Sequence, residues 1–339
     1  LNEEFDMSEE FTEIHINECT TVSELPSISE DYSTISAKGI RTKSLYGRTS
    51  EQLKLLTAYH EVISNRQAKK VLIHGESGSG KTALVNSIQE TVIQNGAYFV
   101  TGKFFQGSDL QEPHSAIVSA FSDVCDLVAQ SKDLTEKDLI KIKEELRSDS
   151  QILKRFITNV SPFLYNDTNE IVAGNDSIDC HQDSRISQFK IACKTFLRVM
   201  ASKKHPIVMF IDDIQWMDDG SKEIIHMLLH DESLKHVLII LSYRDGEKPE
   251  VIGVAQSSGL SHLVDISVEN LDISSVHHIV TEVLGANSTE IRGLSEVVME
   301  KSRGNPLHVI LFLETLQHQN LLVQRNQRGP LSLDIDRIQ

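Results

Sequence analysis

Two kinds of apolar pattern alternate along this chain from about residue 45 onward. Continuous apolar runs, Val71-Leu72-Ile73, Ile207-Val208-Met209-Phe210-Ile211 and Val237-Leu238-Ile239-Ile240-Leu241, read as strands buried on both faces, the habit of parallel sheets. Ala97-Tyr98-Phe99-Val100 reads as another strand, and Val264, Ile266 and Val268 alternate as a fifth, nearer an edge. Between the strands, apolar residues recur at helical spacing: Leu55, Leu56 and Ile63; Leu84, Ile88 and Val92; Ile117, Phe121 and Val124; Leu139, Ile142 and Leu146; Phe189, Ala192, Phe196 and Val199; Ile224, Ile225 and Leu228. Strands alternating with helices imply right-handed βαβ units, hence an α/β fold with a parallel sheet flanked by helices. From Ile273 to about Val323 the pattern is purely helical, long enough for a small all-helical lid. The resulting organisation is an acidic, disordered tail over 1–43, an α/β domain over 44–270 with a helical insertion at 113–202, a helical lid over 271–324 and an irregular tail over 325–339. The polar stretch from Asp167 to Asp183 reads as a loop.

The first buried run leads into Gly75-Glu76-Ser77-Gly78-Ser79-Gly80-Lys81-Thr82, the pattern Gly-x-x-x-x-Gly-Lys-Thr of a phosphate-binding loop. Its glycines let the backbone curl until successive N–H groups point inward at phosphates. Lys81 supplies a point charge for the β- and γ-phosphates and Thr82 a hydroxyl for Mg²⁺. The helix expected from Ala83 to Val92 turns its N-terminal dipole toward the same phosphates. The run ending in Asp212-Asp213 is the second signature: Asp212 at the carboxyl end of its strand is suited to hold Mg²⁺, and Asp213 to orient and deprotonate an attacking water. The competing reading of that pair is an Asp-Asp turn capping the next helix. Trp216 reads equally as core or as a wall of the site, and Asp219 is the favoured cap of the helix that follows. Arg244, just past the end of its strand, lies on the side of the sheet where nucleotides bind in such folds. It either reaches a γ-phosphate or pairs with Asp245 or Glu247.

Composition narrows the partners. The 33 basic against 49 acidic residues give a formal net charge of −16, and no Lys/Arg block segregates from the rest, so nucleic acid is an unfavoured partner. No apolar run is long enough to span a bilayer. Cys19, Cys125, Cys180 and Cys193 are widely spaced with no zinc-type pairing, so they read as reduced thiols. A reducing cytoplasmic compartment follows, with the nucleus the alternative. The chain begins with Leu1 rather than Met, which leaves open that it is a piece of a longer protein.

Taken together, the phosphate loop, Phe210-Ile211-Asp212-Asp213-Ile214-Gln215-Trp216-Met217-Asp218, Ser242-Tyr243-Arg244-Asp245 and Gly304-Asn305-Pro306-Leu307 resemble the AAA-type ATPase domain of multidomain signalling proteins. This group is related to the origin-recognition AAA ATPases and to the signal-transduction ATPases with numerous domains. Tyr46-Gly47-Arg48 resembles the group's entry motif, although Thr49 stands where an acidic residue is usual, and Gly102-Lys103-Phe104 resembles the stretch after its second strand. The resemblance implies ATP and Mg²⁺ as ligands. It implies that Tyr46, Gly47 and Arg48 line the adenine side, Gly75 to Thr82 hold phosphates, Asp212 holds Mg²⁺, Asp213 positions water, Arg244 senses the γ-phosphate and Pro306 closes the lid near the base. Asp213 is shorter than the glutamate common in fast motors, which fits slow hydrolysis. Arg185 and Arg303 are the candidates for an arginine acting on a neighbour's nucleotide. The function implied is a slow ATPase serving as a regulatory switch, with effector or sensor domains of a parent protein as partners and ATP-dependent self-association as a further expectation. The alternatives are a non-catalytic nucleotide-bound scaffold and a DNA-loading AAA protein.

Overall fold

In the computed structural model the described residues are 45–107, 113–165, 182–257, 263–284, 289–319, 321–324 and 331–333. The expected acidic tail, nearly all of the Asp167–Asp183 loop, Cys19 and Cys180 lie outside them.

Five strands form one parallel sheet: β1 (Lys69–Gly75), β2 (Tyr98–Lys103), β3 (Ile207–Asp212), β4 (Val237–Arg244) and β5 (Leu263–Ser267), in the order β2-β3-β4-β1-β5. Every neighbouring pair runs parallel. The continuous apolar runs become the three central strands because both faces of the sheet are covered. Along β3, Ile207, Met209 and Ile211 enter one core, while Val208 and Phe210 enter the other. Leu72, Ile239 and Leu241 join the first face, and Val71, Ile73, Leu238 and Ile240 the second. Alternation survives as a choice between two buried sides rather than between core and water.

The second face is covered by α1 (Thr49–Asn65), α2 (Lys81–Asn86) and α3 (Gln89–Gln94). Periodicity predicts a single helix over 83–92, but the chain makes two. Ile88 N bonds to Val85 O, a tightened i→i−3 turn, and the Ser87 hydroxyl donates to Leu84 O at 2.7 Å, the local competition that bends helices at serine. Leu84, Ile88 and Val92 remain fully buried in one core despite the break.

The first face is covered by α4 (Ser115–Gln130), α5 (Glu136–Glu145), α6 (Ser150–Phe156) and α7 (Gln182–Met200), all between β2 and β3, and by α8 (Asp219–His230) and α9 (Glu250–Ser257). Phe121 stacks on Phe196 and Phe156 on Phe189, tying the α4–α7 segment together. After β5 come α10 (Ile273–Leu284), α11 (Thr289–Ser302) and α12 (Pro306–His318), which build a third apolar cluster around Val276, Val280, Leu294, Val298, Val309 and Leu313. Where the apolar pattern reads helix to Val323 and irregular chain beyond, α12 stops at His318. Leu322–Gln324 (β6) then pairs antiparallel with Leu331–Leu333 (β7).

The tightest approach of helix to sheet falls at Gly102 of β2, where an added Cβ would stand 2.1 Å from the Ala116 carbonyl oxygen of α4. Backbone cannot yield as a side chain does, so Gly102→Ala should cost about 1–3 kcal/mol by overpacking. Gly253 of α9 has nothing within 4 Å of the same position, and Gly253→Ala should instead add about 0.5–1 kcal/mol through helix propensity. Urea unfolding of the two variants should move the midpoint in opposite directions.

Candidate functional site

The parallel register brings the chemistry-bearing residues to one level at the carboxyl ends of the strands. Lys103 pairs with Asp212, and Gly75 with Arg244, while Ser242 of β4 follows Leu241, the partner of Ile211. The phosphate loop leaves β1 at this edge.

Each of its carbonyls from Gly75 to Ser79 accepts a hydrogen bond. Lys81 Nζ donates to Gly75 O at 2.9 Å and to Glu76 O at 2.8 Å. Asn305 Nδ2 donates to Ser77 O at 2.9 Å, and Leu307 N to Gly78 O at 3.3 Å. Arg48 Nη2 donates to Ser79 O at 3.1 Å and also to Glu269 O. In a trans peptide the N–H points opposite to the C=O, so the three carbonyls claimed by donors outside the loop, those of Ser77, Gly78 and Ser79, turn the Gly78, Ser79 and Gly80 amides away from those donors, and Ser79 N bonds Glu76 O at 3.2 Å within the loop. Gly78 and Gly80 take φ of 79° and 94°, which other residues rarely adopt. Gly78 is also closed to a side chain by Leu307 and Asn305, about 2.7 and 2.8 Å from a Cβ.

Asp212 sits almost fully buried at the end of β3. Its Oδ2 accepts from the Thr82 hydroxyl at 2.9 Å and from Lys103 Nζ at 3.0 Å, and its Oδ1 accepts from the Ser242 hydroxyl. Asp213 adopts a left-handed backbone, φ 56° and ψ 44°. Its carboxylate is held by Lys103 Nζ at 2.9 Å, by Gln215 Nε2 at 2.8 Å and at longer range by Arg244 Nε at 3.8 Å. Burial alone would raise the Asp213 pKa, but the Lys103 and Gln215 hydrogen bonds outweigh it and hold the carboxyl below the ordinary range. Burial would likewise depress Lys103, yet the two carboxylates hold its pKa above the usual lysine value. Burial dominates at Lys81, whose pKa is lowered against the opposing pull of Asp213 and Asp212. The oxygens of Thr82, Asp212 and Asp213 form the hard donor set that suits Mg²⁺. Ser79 Oγ, buried and without a hydrogen-bond partner among the described residues, adds a polar atom within the loop.

The other expected site residues fall as follows. Arg48 is buried behind the loop; Gly47, at φ 66°, has room for no Cβ against Ser275; Tyr46 stacks on His278 of α10 and donates to Glu282 at 2.9 Å. Tyr46 and Arg48 thus reach the α10 helix and the loop from one short segment. Pro306 opens α12, where the Asn305 side-chain Oδ1 accepts from Leu307 N and His308 N. Glu76 accepts from Asn270 at 3.3 Å. Arg244 lies over the Trp216 ring at 5.6 Å, and Trp216 itself packs on the core while forming this wall. Arg303 is exposed at φ 53°, and Arg185 lies in α7 with its side chain outside the described set.

One reading changes. The cap of α8 is Asp218, not Asp219: Asp218 accepts from Ser221 N at 2.9 Å and also from His114 N, so it joins two helix starts where the exposed Asp219 reaches only Lys222. Lys103, Ser242, Gln215 and Asn305 were given no role by motif reading. The cue for Lys103 and Ser242 is strand register, which puts them beside Asp212.

A model of the AAA ATPase domain matches residues 44–240. Hybrid signal transduction histidine kinase G of Dictyostelium discoideum is 26% identical over an alignment of 363 residues that takes in 88% of this chain and 10% of that protein. The chain therefore spans about a tenth of that relative's length. Among solved structures, the Aeropyrum pernix ORC2 protein in its ADPNP–ADP complexes is similar at a TM-score of 0.47 and 13% identity, covering 87% of this chain and 67% of that one. Cdc6p from Pyrobaculum aerophilum is similar at 0.46 and 11% identity, covering 82% and 64%.

The Lys103 bridge has a pH signature. With its folded pKa below the unfolded value of about 3.9, Asp213 contributes stability that is present above about pH 4 and lost as pH falls through the folded value. Lys103, raised, keeps its contribution below about pH 10.5 and loses it only as pH climbs past the raised value. The thermal midpoint of Lys103→Met should therefore lie below the parent's at neutral pH, with the gap shrinking below about pH 4. A gap independent of pH would remove the charge pairing as its cause.

Proposed function

The chain belongs to the AAA ATPase domain family, and on that premise we propose that it binds ATP with Mg²⁺, hydrolyses it slowly and works as a nucleotide-controlled switch in a larger signalling protein. The observation that carries the reading is the phosphate loop itself, with the Ser77, Gly78 and Ser79 carbonyls held by Asn305, Leu307 and Arg48 from outside it, the Lys81 amine seated on Gly75 O and Glu76 O, and Thr82 in contact with Asp212.

In this reading Lys81 exchanges two loop carbonyls for the β- and γ-phosphates. Thr82 and Asp212, already in contact, hold Mg²⁺. An ion held there would supply charge neutralisation at the phosphates. Asp213 orients a water through its carboxylate and accepts its proton. Arg244, 3.8 Å from Asp213 and stacked on Trp216, is in reach of the same space and reads the γ-phosphate. A carboxylate held below its ordinary pKa is a weak base at neutral pH, and Lys103 occupies one of its oxygens. Both features favour slow turnover. The γ-phosphate then shifts the state of the helices after β5 through differential contacts, the requirement for any switch. Sensor or effector modules beyond these residues are the natural readers, a reading in keeping with the multidomain kinase relative.

The same Lys103–Asp213 contact favours a second reading, a nucleotide-bound scaffold that does not turn over. A DNA-loading role is disfavoured by the net charge of −16.

Lys81→Ala should weaken ATP binding by about 10-fold or more, the worth of lost charge-assisted hydrogen bonds. Asp213→Asn should bind ATP normally but hydrolyse it about 10²-fold more slowly. Fluorescent-nucleotide titration and phosphate release distinguish them: unchanged affinity in Lys81→Ala refutes nucleotide binding at this loop, and unchanged turnover in Asp213→Asn refutes the base.

A further inference from the structure

On the far side of α8 from its core contacts runs a stripe whose chemistry neither the sheet nor the phosphate loop uses. Glu223, His226 and His230 stand at i, i+3 and i+7, on one face of the helix. The His226 and His230 rings stack with centroids 4.3 Å apart and an interplanar angle of 29°. His226 is exposed and His230 partly so. His230 Nδ1 lies 2.8 Å from the carbonyl oxygen of His226, one turn back. A carbonyl only accepts, so Nδ1 carries a proton, and in the neutral ring the lone pair is left on Nε2. That tautomer, oriented by a backbone carbonyl, is the one metal-ligating histidines use. Partial burial, His230 and Lys190 together hold the His226 pKa below the ordinary imidazole value. Glu223, one turn before His226, is held by Lys190 Nζ at 2.7 Å.

We propose that His226 and His230 form a bidentate site for a divalent transition-metal ion of the Zn²⁺, Ni²⁺ or Cu²⁺ class, with water completing the coordination and Glu223 as a further ligand once it leaves Lys190. Two neutral imidazoles select such ions over Mg²⁺ and Ca²⁺, which take oxygen ligands, so this ion does not compete for the Thr82–Asp212 site. Among the described residues no group of three His, Cys, Asp or Glu side chains is assembled for a metal, so the affinity is that of a chelating pair rather than of a closed structural site. The ion joins the last two turns of α8, and binding only the folded chain raises its thermal midpoint.

The test is Ni²⁺ titration of the full chain without nucleotide, by calorimetry, alongside thermal melts. The parent should bind one Ni²⁺ at this pair. His226→Gln and His230→Gln should each weaken it by about 10²-fold, the advantage of two linked ligands over one. The double variant should lose the Ni²⁺-induced rise in midpoint while keeping its metal-free melt and its ATP affinity. Millimolar Mg²⁺ should leave the titration unchanged. The proposal is overturned if the double variant binds Ni²⁺ as tightly as the parent, which would move the ion to other histidines, or if the parent shows no saturable binding.

Discussion

Five consecutive carbonyls of one glycine-rich loop must find hydrogen-bond donors, and most of the candidate site is arranged around supplying them. A regular element would not need such donors, because helices and strands satisfy their carbonyls internally or from a neighbouring strand. The donors come from three separate parts of the chain. Arg48 precedes β1, Lys81 opens α2, and Asn305 and Leu307 begin α12. Burying an arginine is costly, and burial lowers the Arg48 pKa, with Glu51 and Glu269 opposing. Two carbonyl acceptors compensate that desolvation, so removing either acceptor's geometry would leave a buried cation short of partners.

The second constraint is electrostatic. Asp212 and Asp213 are adjacent carboxylates at the closed end of a fully buried strand, where like charges repel in a poorly screened setting. Lys103 lies between them, and Thr82, Ser242 and Gln215 fill the remaining acceptor positions. The left-handed turn at Asp213 separates the two side chains and lets its own N–H reach Ser242 Oγ at 3.2 Å and Asp212 Oδ1 at 3.1 Å. A non-glycine residue in that region carries strain, and such strain persists where surrounding contacts over-determine it. Here the contacts come from three strands at one register level.

The parallel sheet was legible because its signal is local. Runs such as Ile207 to Ile211 name a doubly covered strand without any knowledge of what covers it. The phosphate loop was legible for the same reason: its glycines answer to backbone needs within eight residues. The break at Ser87 was not, because the apolar period continues across it and Leu84, Ile88 and Val92 stay buried on both sides of the turn. Motif reading assigned Arg48 by its neighbours Tyr46 and Gly47, but its carbonyl partners lie 31 and 221 residues away. The cap of α8 turned on a residue outside that helix, since Asp218 also serves His114, 104 positions earlier. The pairing of Lys103 with the carboxylates is a matter of register, which spacing along one chain does not encode.

Asn305 shows how the helices after β5 gain a hold on the loop. Its Oδ1 caps α12 through Leu307 N and His308 N, while its Nδ2 holds the Ser77 carbonyl. One planar amide therefore fixes both the start of a helix and the curvature of the phosphate loop, and neither can rotate without the other. Gly304, at φ 75° with its Cβ position 2.2 Å from Leu271 O, sets the approach, and Leu271 N returns a bond to Gly304 O at 2.7 Å. On the opposite side Tyr46 reaches Glu282 and His278 of α10, two residues before the arginine that holds Ser79. The helical cluster thus touches the loop by two routes, one direct and one through the entry segment. A change in the loop that alters either Ser77 O or Ser79 O alters what those helices hold. In the proposed switch, these two routes are the contiguous path by which nucleotide state would reach α10 and α12.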